Sequence, residues 1–183
     1  MTLPFLTNPS LLANKRVLLR LDLNAPILDG NIENAFRLRR IQPTIAMLQA
    51  VGAKVIIVSH HGGSHDTQTL KPIADYLQLP FVPAHRPEHT LSAGEAVILE
   101  NLRHDPREVA NDPTFAQALA ELADVYVNDA FAESHRAYAS IVGVPKLLPS
   151  FLGPEFAEEV EHLSHAFTPA HPFLFILGGA KFL

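Results

Sequence analysis

Apolar runs alternate with stretches of helical periodicity along most of the chain, and this alternation predicts the fold. Runs rich in apolar and β-branched residues predict strands at 16–23, 54–59, 81–84, 95–101, 124–129 and 173–179. Apolar positions at helical spacing predict helices at 35–52, 69–78, 112–123 and 153–167. Strand and helix in repeated order predict an α/β fold, namely a three-layer α/β/α, Rossmann-like domain with a parallel sheet between helices.

Prolines refine the expected bounds of these elements. Pro43 falls inside the first helical stretch, and because proline lacks an N–H, we expect the helix to begin near Pro43 after a loop or kink. Asp112 followed by Pro113 is typical of a helix start. The segment TPAHP at 168–172 carries two prolines and predicts a hinge or domain boundary. The strand after it would then belong to a second domain.

Composition and charge exclude several classes of protein. The 183 residues are 48% hydrophobic and 18% charged, which is ordinary for a soluble globular protein. The absence of cysteine excludes disulfides and thiolate metal sites and fits a reducing compartment such as the cytoplasm. The N-terminus lacks a signal-peptide pattern, and no apolar run reaches the roughly 20 residues that span a bilayer. A net charge of −5 argues against nucleic-acid binding but leaves room for a local pocket that binds a small anion.

Polar residues and glycines follow the predicted strands, where parallel α/β sheets bind their ligands. Together with a residue at the entry to the first helix, they are Asp22, Asn24, Arg37, His60, Gly62, Arg103, His135 and Arg136. Arginine side chains bind carboxylate and phosphate oxygens in bidentate fashion, so the set predicts a pocket for a small ligand that bears both groups. The alternative for any single arginine is an ordinary exposed loop residue.

Other motifs are open to more than one interpretation. The segment SHHGGSHD at 59–66 is rich in histidine, but without cysteine or a helical HExxH spacing it does not predict a metal site. Asp22 and Asp129 form a possible acid/base pair, although Asp129 more readily serves as a hydrogen-bonded cap and Asp22 as a group that orients a substrate hydroxyl. The segment GGAK at 178–181 is suited to phosphate but is not a Walker P-loop.

Several segments occur in an order and at separations that resemble phosphoglycerate kinase over almost the whole chain. They are RVLLRLDLNAP, RLRRIQPTI, VIIVSHHGG, ILENLRH, VYVNDAFAESHRAYAS and ILGGAK. The resemblance implies reversible phosphoryl transfer between 1,3-bisphosphoglycerate and ADP, giving 3-phosphoglycerate and MgATP, in glycolysis. It further implies a phosphoglycerate-binding N-terminal domain at 1–167 that includes the interdomain helix 153–167, a hinge at 168–172, and the first strand of a nucleotide domain at 173–183.

The resemblance also implies roles for single residues. Arg37 and Lys181 would be catalytic and would contact the transferring phosphoryl group from opposite sides. The implied substrate-binding residues are Asp22, Asn24, Arg37, His60, Gly62, Arg103 and Arg136. Mg-ATP or ADP would bind a nucleotide domain outside these residues, so we expect no bound cofactor and no activity from this chain alone. The intact family is expected to be monomeric, whereas the fragment could self-associate.

The sequence departs from the family pattern in the substrate loop and after the fifth predicted strand. Gly63 and Ser64 replace an arginine and a proline, which removes one anion donor unless His61 or His65 substitutes. Ala132 replaces a glycine and would be strained if that position required a positive φ. Gly63 and Ala132 are the only support for the alternative function, a non-catalytic anion-binding or regulatory domain derived from the kinase.

Overall fold

A parallel β-sheet organises the chain in the computed structural model, which describes residues 3–62, 68–85, 90–174 and 176. Within these ranges the strands are β1 (Arg16–Leu21), β2 (Ile27–Leu28), β3 (Asn31–Ile32), β4 (Lys54–Val58), β5 (Phe81–Val82), β6 (Ala96–Leu99), β7 (Val125–Asp129) and β8 (Ser150–Leu152). The main sheet has the order β5-β6-β4-β1-β7-β8 with parallel neighbours throughout, while β2 and β3 form a separate antiparallel hairpin.

Helices lie between the strands. The α-helices are α1 (Phe36–Ala50), α2 (Lys71–Leu77), α3 (Pro106–Val109), α4 (Pro113–Ala120) and α5 (Pro154–Ser164). Short 3₁₀ turns occur at Pro9–Leu12, Leu102–His104, Phe131–Glu133, Val144–Lys146 and His165–Phe167, and a π-helical turn at Ala139–Gly143. Asp112 caps α4 as predicted, since its Oδ1 accepts the N–H groups of Thr114 (2.7 Å) and Phe115 (3.3 Å).

Apolar side chains on both faces of the sheet form separate cores. Val17, Leu19 and Leu21 of β1 pack with α1 and α2 on one face, whereas Leu18 packs with α4 on the other. This alternation follows from the two-residue period of a strand. The three-layer α/β/α fold with a parallel sheet is therefore confirmed. Among the described residues, no helix combines the length and apolar character needed to cross a membrane.

The prediction for the first helix was wrong at its start. Helix α1 begins at Phe36 and continues through Pro43 instead of beginning there. Proline removes one helical hydrogen bond, but Pro43 is exposed, so the unpaired carbonyl one turn earlier lies on the solvent side.

Short elements escaped prediction, and the last predicted strand lies largely outside the described residues. The hairpin β2–β3 and the strand β8 have only two or three residues per strand, too few to show a period. In the predicted strand at 173–179, the described residues Phe173, Leu174 and Ile176 are exposed and lie in no strand. The assignment of this segment to a second domain stays a prediction.

Candidate functional site

The sheet order brings the ends of β4, β1 and β7 side by side, with β6 next to β4. Arg20 near the end of β1 pairs in register with Val58 on one side and Asn128 on the other. The loops that leave these strands therefore meet at one edge of the sheet. We call this edge, made of residues 22–24, 59–62, 101–103, 128 and 130–138 together with Arg37 of α1, the carboxyl edge.

Asp22, Asn24 and Gly62 connect the start of α1 to the loop after β4. Arg37 forms an ion pair with the carboxylate of Asp22 through Nη1 and Oδ2. The other oxygen of that carboxylate accepts the N–H of Asn24 at 3.1 Å, and Asn24 Oδ1 accepts the N–H of Gly62 at 3.1 Å. Arg37 remains 50% exposed at the side chain, so much of its guanidinium faces solvent.

Arg103 and Arg136 converge on one tyrosine. Arg103 Nη1 donates to the carbonyl of Gly62, and its Nη2 lies 3.5 Å from the hydroxyl of Tyr138. Arg136 Nη1 donates to the same hydroxyl at 3.2 Å. Both guanidinium carbons lie 5.6 Å from the centroid of the Tyr138 ring. The ring therefore holds two cations close together, which in solution would repel each other.

His60 is buried at the centre of the carboxyl edge, and its neighbours define its protonation. Arg20 Nη2 lies 2.8 Å from His60 Nδ1, and because arginine can only donate, Nδ1 must accept. Burial is the main cause that lowers the pKa of His60 to about 2, and the charges of Arg20 and Arg103 lower it further. His60 is therefore neutral near pH 7, with its proton on Nε2.

Glu133 lies between His60 and Arg136. Its Oε2 is 2.5 Å from Arg136 Nε and 3.5 Å from His60 Nε2. A continuous series of contacts thus joins the seven residues predicted to bind substrate, whereas Asp129 and His135 lie outside it. In order, the series runs Arg37, Asp22, Asn24, Gly62, Arg103, Tyr138, Arg136, Glu133 and His60.

The sequence analysis did not identify Arg20, a buried residue of β1 that contacts His60 of this edge. The side chain of Arg20 is fully buried, and its Nε donates to Ser140 Oγ at 3.2 Å. Ser140 in turn donates through its N–H (2.9 Å) and Oγ (2.5 Å) to the buried carboxylate of Glu108. Tyr126 also donates to the carbonyl of Ser140 at 2.7 Å. A charged residue inside the otherwise apolar run RVLLRL was the available signal, because arginine is almost never fully buried without a partner.

A second polar cluster ties α1 to α5, and we call it the α1–α5 clamp. Thr44 Oγ1 donates to Asp129 Oδ2 at 2.6 Å, and Asp129 Oδ1 accepts the N–H of Phe156 at 2.9 Å. Arg40 Nε lies 2.5 Å from Glu155, and its Nη2 lies 3.1 Å from Glu158 and 3.7 Å from Glu159. The clamp consists of Arg40, Thr44, Asp129, Glu155, Phe156, Glu158 and Glu159.

Asp129 has the capping role that the sequence favoured. Burial raises the pKa of its carboxyl, although the hydrogen bonds from Thr44 and Phe156 oppose the shift. A Cβ atom at Gly153 would lie 2.4 Å from the Asp129 carboxyl group, so glycine is required for this close approach.

Cavities lie beside the clamp and at the far side of the sheet. A cavity of about 350 Å³ is lined by Asp22 and Arg37 together with clamp residues, so it opens beside the carboxyl edge. A larger cavity of about 480 Å³ lies along β5 and β6 and is lined mainly by apolar residues such as Leu79 and Phe81. None of the described site residues lines that larger cavity.

The departures from the family pattern can be located in part. Ala132 is exposed in the 3₁₀ turn, and the non-glycine residues with positive φ among those described are Asn14, Asp29, Gln78 and Asn111, so Ala132 is not strained in that way. His61 is buried, with Nε2 2.6 Å from the carbonyl of Ala25. Gly63, Ser64, His65 and Lys181 lie outside the described residues. In the part of the chain that is described, no group of His, Asp or Glu is arranged to hold a metal ion.

Comparison with known proteins identifies the family. A family model described as phosphoglycerate kinase matches residues 8–183. The chain belongs to the phosphoglycerate kinase family. The phosphoglycerate kinase of Dictyoglomus turgidum is 42% identical over 186 residues, which cover 93% of this chain and 47% of that protein. The phosphoglycerate kinase of Moorella thermoacetica is 43% identical, covering 93% of this chain and 48% of that protein.

Solved structures of phosphoglycerate kinases have the same fold. The enzyme of Pyrococcus horikoshii superposes with a TM-score of 0.84 at 34% identity, over 93% of this chain and 47% of that one. The enzyme of Coxiella burnetii superposes with a TM-score of 0.78 at 36% identity, over 85% of this chain and 43% of that one. The chain spans about half the length of the curated relatives it matches.

Proposed function

We propose that this chain holds the phosphoglycerate in the phosphoglycerate kinase reaction, as 3-phosphoglycerate or 1,3-bisphosphoglycerate, at the carboxyl edge. The observation that carries the proposal is the contact series from Arg37 to His60, which gathers cationic and amide groups from separate loops at one rim. Such a rim suits a ligand with a phosphate at one end and a carboxylate at the other.

Each part of the rim has a proposed role. Arg103 and Arg136 bind the phosphate, since both lie against Tyr138 and carry adjacent positive charge. Asp22, Asn24 and Gly62 lie between these cations and Arg37, where they orient the carbon chain and its hydroxyl. His60, neutral with its proton on Nε2, donates a hydrogen bond without adding charge. Arg37 is the most exposed of these cations and contacts the phosphoryl group in transfer.

The chemistry requires positive charge and alignment more than covalent help from the protein. A carboxylate oxygen of 3-phosphoglycerate attacks the terminal phosphorus of ATP, and the bond from that phosphorus to the bridging oxygen breaks as ADP leaves. Negative charge spreads over the transferring oxygens, and Arg37 stabilises it from the phosphoglycerate side. Lys181 does so from the nucleotide side, and Mg-ATP binds the half of the protein that this chain does not span.

The proposed division of the chain follows from the same assignment. Residues 1–167 form the phosphoglycerate-binding domain, 168–172 the hinge and 173–183 the start of the nucleotide domain. Exposure supports this division, because from 161 to 174, across the proposed hinge, every residue is exposed except the half-buried Pro169. Closure of the two domains would exclude water from the acyl phosphate.

Calorimetry on the 183-residue chain tests the substrate proposal. We expect weak binding of 3-phosphoglycerate, and about tenfold weaker binding by Arg37→Ala because one charge-assisted contact is lost. Arg39→Ala, which removes an exposed cation from the same helix, is the matched control and should bind as the wild type does. Equal affinity in all three proteins would remove Arg37 from the site, and no binding to the wild type would refute the proposal.

A coupled assay tests the division between the two halves. The purified chain should show no ATP-dependent turnover, because the nucleotide site is proposed to lie in the other half of the protein. Normal turnover by this chain would show that the nucleotide site is complete within it. Such a result would also overturn the proposed domain bounds.

A further inference from the structure

The carboxylate of Glu133 is buried among the cations of the carboxyl edge. Glu133 exposes 6% of its surface and is the last residue of the 3₁₀ turn that follows β7. Its Oε2 lies 2.5 Å from Arg136 Nε and 3.5 Å from His60 Nε2. A negative group of this chain therefore occupies the position where an oxygen of an anionic ligand would meet Arg136 and His60.

The way Glu133 is held differs from that of the other buried carboxylates. Glu108 accepts two hydrogen bonds from Ser140, and Asp129 accepts one from Thr44 and one from a backbone N–H. Glu133 Oε2, in contrast, has no hydrogen bond of acceptable geometry from any described residue. Buried carboxylates normally gain several such bonds. Glu133 is thus held mainly by the charge of Arg136, and an anion with better geometry could displace it.

We propose that Glu133 is an internal counter-anion that competes with ligand oxyanions for Arg136 and His60 and so sets the affinity of the carboxyl edge for anions. The inference rests on the proposed function and deepens it. Displacing Glu133 costs the same for every anion. A ligand that also reaches Arg103 and Arg37 offsets this cost with further contacts, whereas a single small anion does not. Glu133 therefore keeps inorganic phosphate from filling the site.

Removing the charge of Glu133 tests the proposal. Glu133→Gln keeps the shape of the side chain, and calorimetry with inorganic phosphate should show about tenfold tighter binding than to the wild type, since Arg136 loses its competitor. Glu161→Gln removes one negative charge from an exposed position on α5 and should leave phosphate affinity unchanged. Glu133→Ala provides a second variant, also tighter than the wild type, in case the glutamine disturbs folding.

A double variant shows whether the gain acts through Arg136. In the Glu133→Gln, Arg136→Met protein, phosphate affinity should fall back to the wild-type level or below, because the freed cation is gone. Equal or weaker phosphate binding by both Glu133→Gln and Glu133→Ala would overturn the proposal. It would indicate instead that the Glu133 carboxylate positions Arg136 for the ligand.

The same titrations separate this inference from the proposed function. If Glu133→Gln binds phosphate more tightly but neither protein prefers 3-phosphoglycerate over phosphate, the substrate proposal fails and the counter-anion inference stands. If the wild type prefers 3-phosphoglycerate and Glu133→Gln gains nothing for either ligand, the inference fails and the substrate proposal stands. If neither protein binds either ligand, both are refuted.

Discussion

The carboxyl edge and the α1–α5 clamp are neighbouring polar clusters that satisfy their charged groups to different degrees. In the clamp, Asp129 accepts hydrogen bonds from Thr44 and from the N–H of Phe156, and Arg40 is surrounded by glutamates. In the carboxyl edge, buried Arg103 Nε has no hydrogen-bond partner among the described residues, and the buried Glu133 Oε2 has only its ion pair with Arg136 Nε (2.5 Å) and a 3.5 Å contact with His60 Nε2, neither with good hydrogen-bond geometry.

We interpret this difference as a separation between groups that stabilise the fold and groups that are proposed to bind a ligand. A buried polar atom without a partner costs stability, so a chain retains it where a ligand supplies the partner. We therefore expect substitutions in the clamp to lower the free energy of unfolding and leave ligand affinity nearly unchanged. Substitutions of the arginines in the carboxyl edge should weaken ligand binding and change the free energy of unfolding little.

Asp129→Ala should have the largest effect, a loss of about 3 kcal/mol in the free energy of unfolding, because it leaves Thr44 and the N–H of Phe156 unpaired in a buried place. Urea unfolding measures this loss. The matched control is Asp112→Ala, which removes an exposed cap from α4 and should cost about 1 kcal/mol. If the two variants lost the same stability, burial would not be what makes the clamp important.

Arg103→Met should weaken 3-phosphoglycerate binding by about tenfold to a hundredfold, which is the size of a charge-assisted contact. Its free energy of unfolding should fall by no more than about 1 kcal/mol, because the contacts that Arg103 loses, to the carbonyl of Gly62 and to Tyr138, are only partly buried. Calorimetry and urea unfolding of the same sample give both numbers. Arg107→Met is the control, since Arg107 lies over Phe115 and pairs with Asp105 away from the edge. If Arg103→Met lost much stability but bound 3-phosphoglycerate as tightly as the wild type, Arg103 would serve the fold and not the ligand.

The fold was predictable because strands such as β1, β4 and β7 are short, mainly apolar runs and α4 carries its own cap and proline. The strand order was not predictable, since it depends on which faces pack and not on local pattern. The meeting of Arg103 and Arg136 followed from the rule that parallel strands end at one edge. The roles of Arg20 and Glu133 could not be predicted from the sequence. The role of a buried charged residue depends on its partners in the fold, and a partner of Arg20 lies 120 residues away in the sequence.

The pH dependence of stability distinguishes the two clusters by its sign. His60 has a pKa of about 2 in the folded chain, against about 6.5 when unfolded. The unfolded chain therefore binds a proton below pH 6.5 that the folded chain does not. On this account the free energy of unfolding falls by about 1.4 kcal/mol for each pH unit below about 6. Asp129 contributes with the opposite sign, because its raised pKa favours the protonated form in the folded state.

The contribution of His60 is isolated by comparison with His60→Asn, which keeps a polar side chain but does not titrate. The groups that face His60 are Arg20, His61, Arg103, Glu133 and Arg136. Urea unfolding between pH 7 and pH 5 should show a steeper fall for the wild type than for His60→Asn. Equal slopes would mean that His60 gains a proton while folded, which the contact from Arg20 to Nδ1 argues against.

Arg40→Met should have the smallest effect, a loss of about 0.5–1 kcal/mol in the free energy of unfolding. The side chain of Arg40 is 31% exposed, and its partner Glu158 is 52% exposed, so water and salt screen this part of the clamp. Methionine keeps the apolar stem of the side chain while removing its charge, which leaves the glutamates of α5 to repel one another. The loss should therefore shrink when unfolding is repeated in about 1 M salt, where the screening length falls to about 3 Å.

Arg40 and Arg37 are one turn apart on α1, so this variant also shows where the clamp ends. If Arg40→Met weakened 3-phosphoglycerate binding as much as Arg37→Ala does, at unchanged stability, Arg40 would belong to the carboxyl edge and the boundary between the two clusters would lie at Thr44.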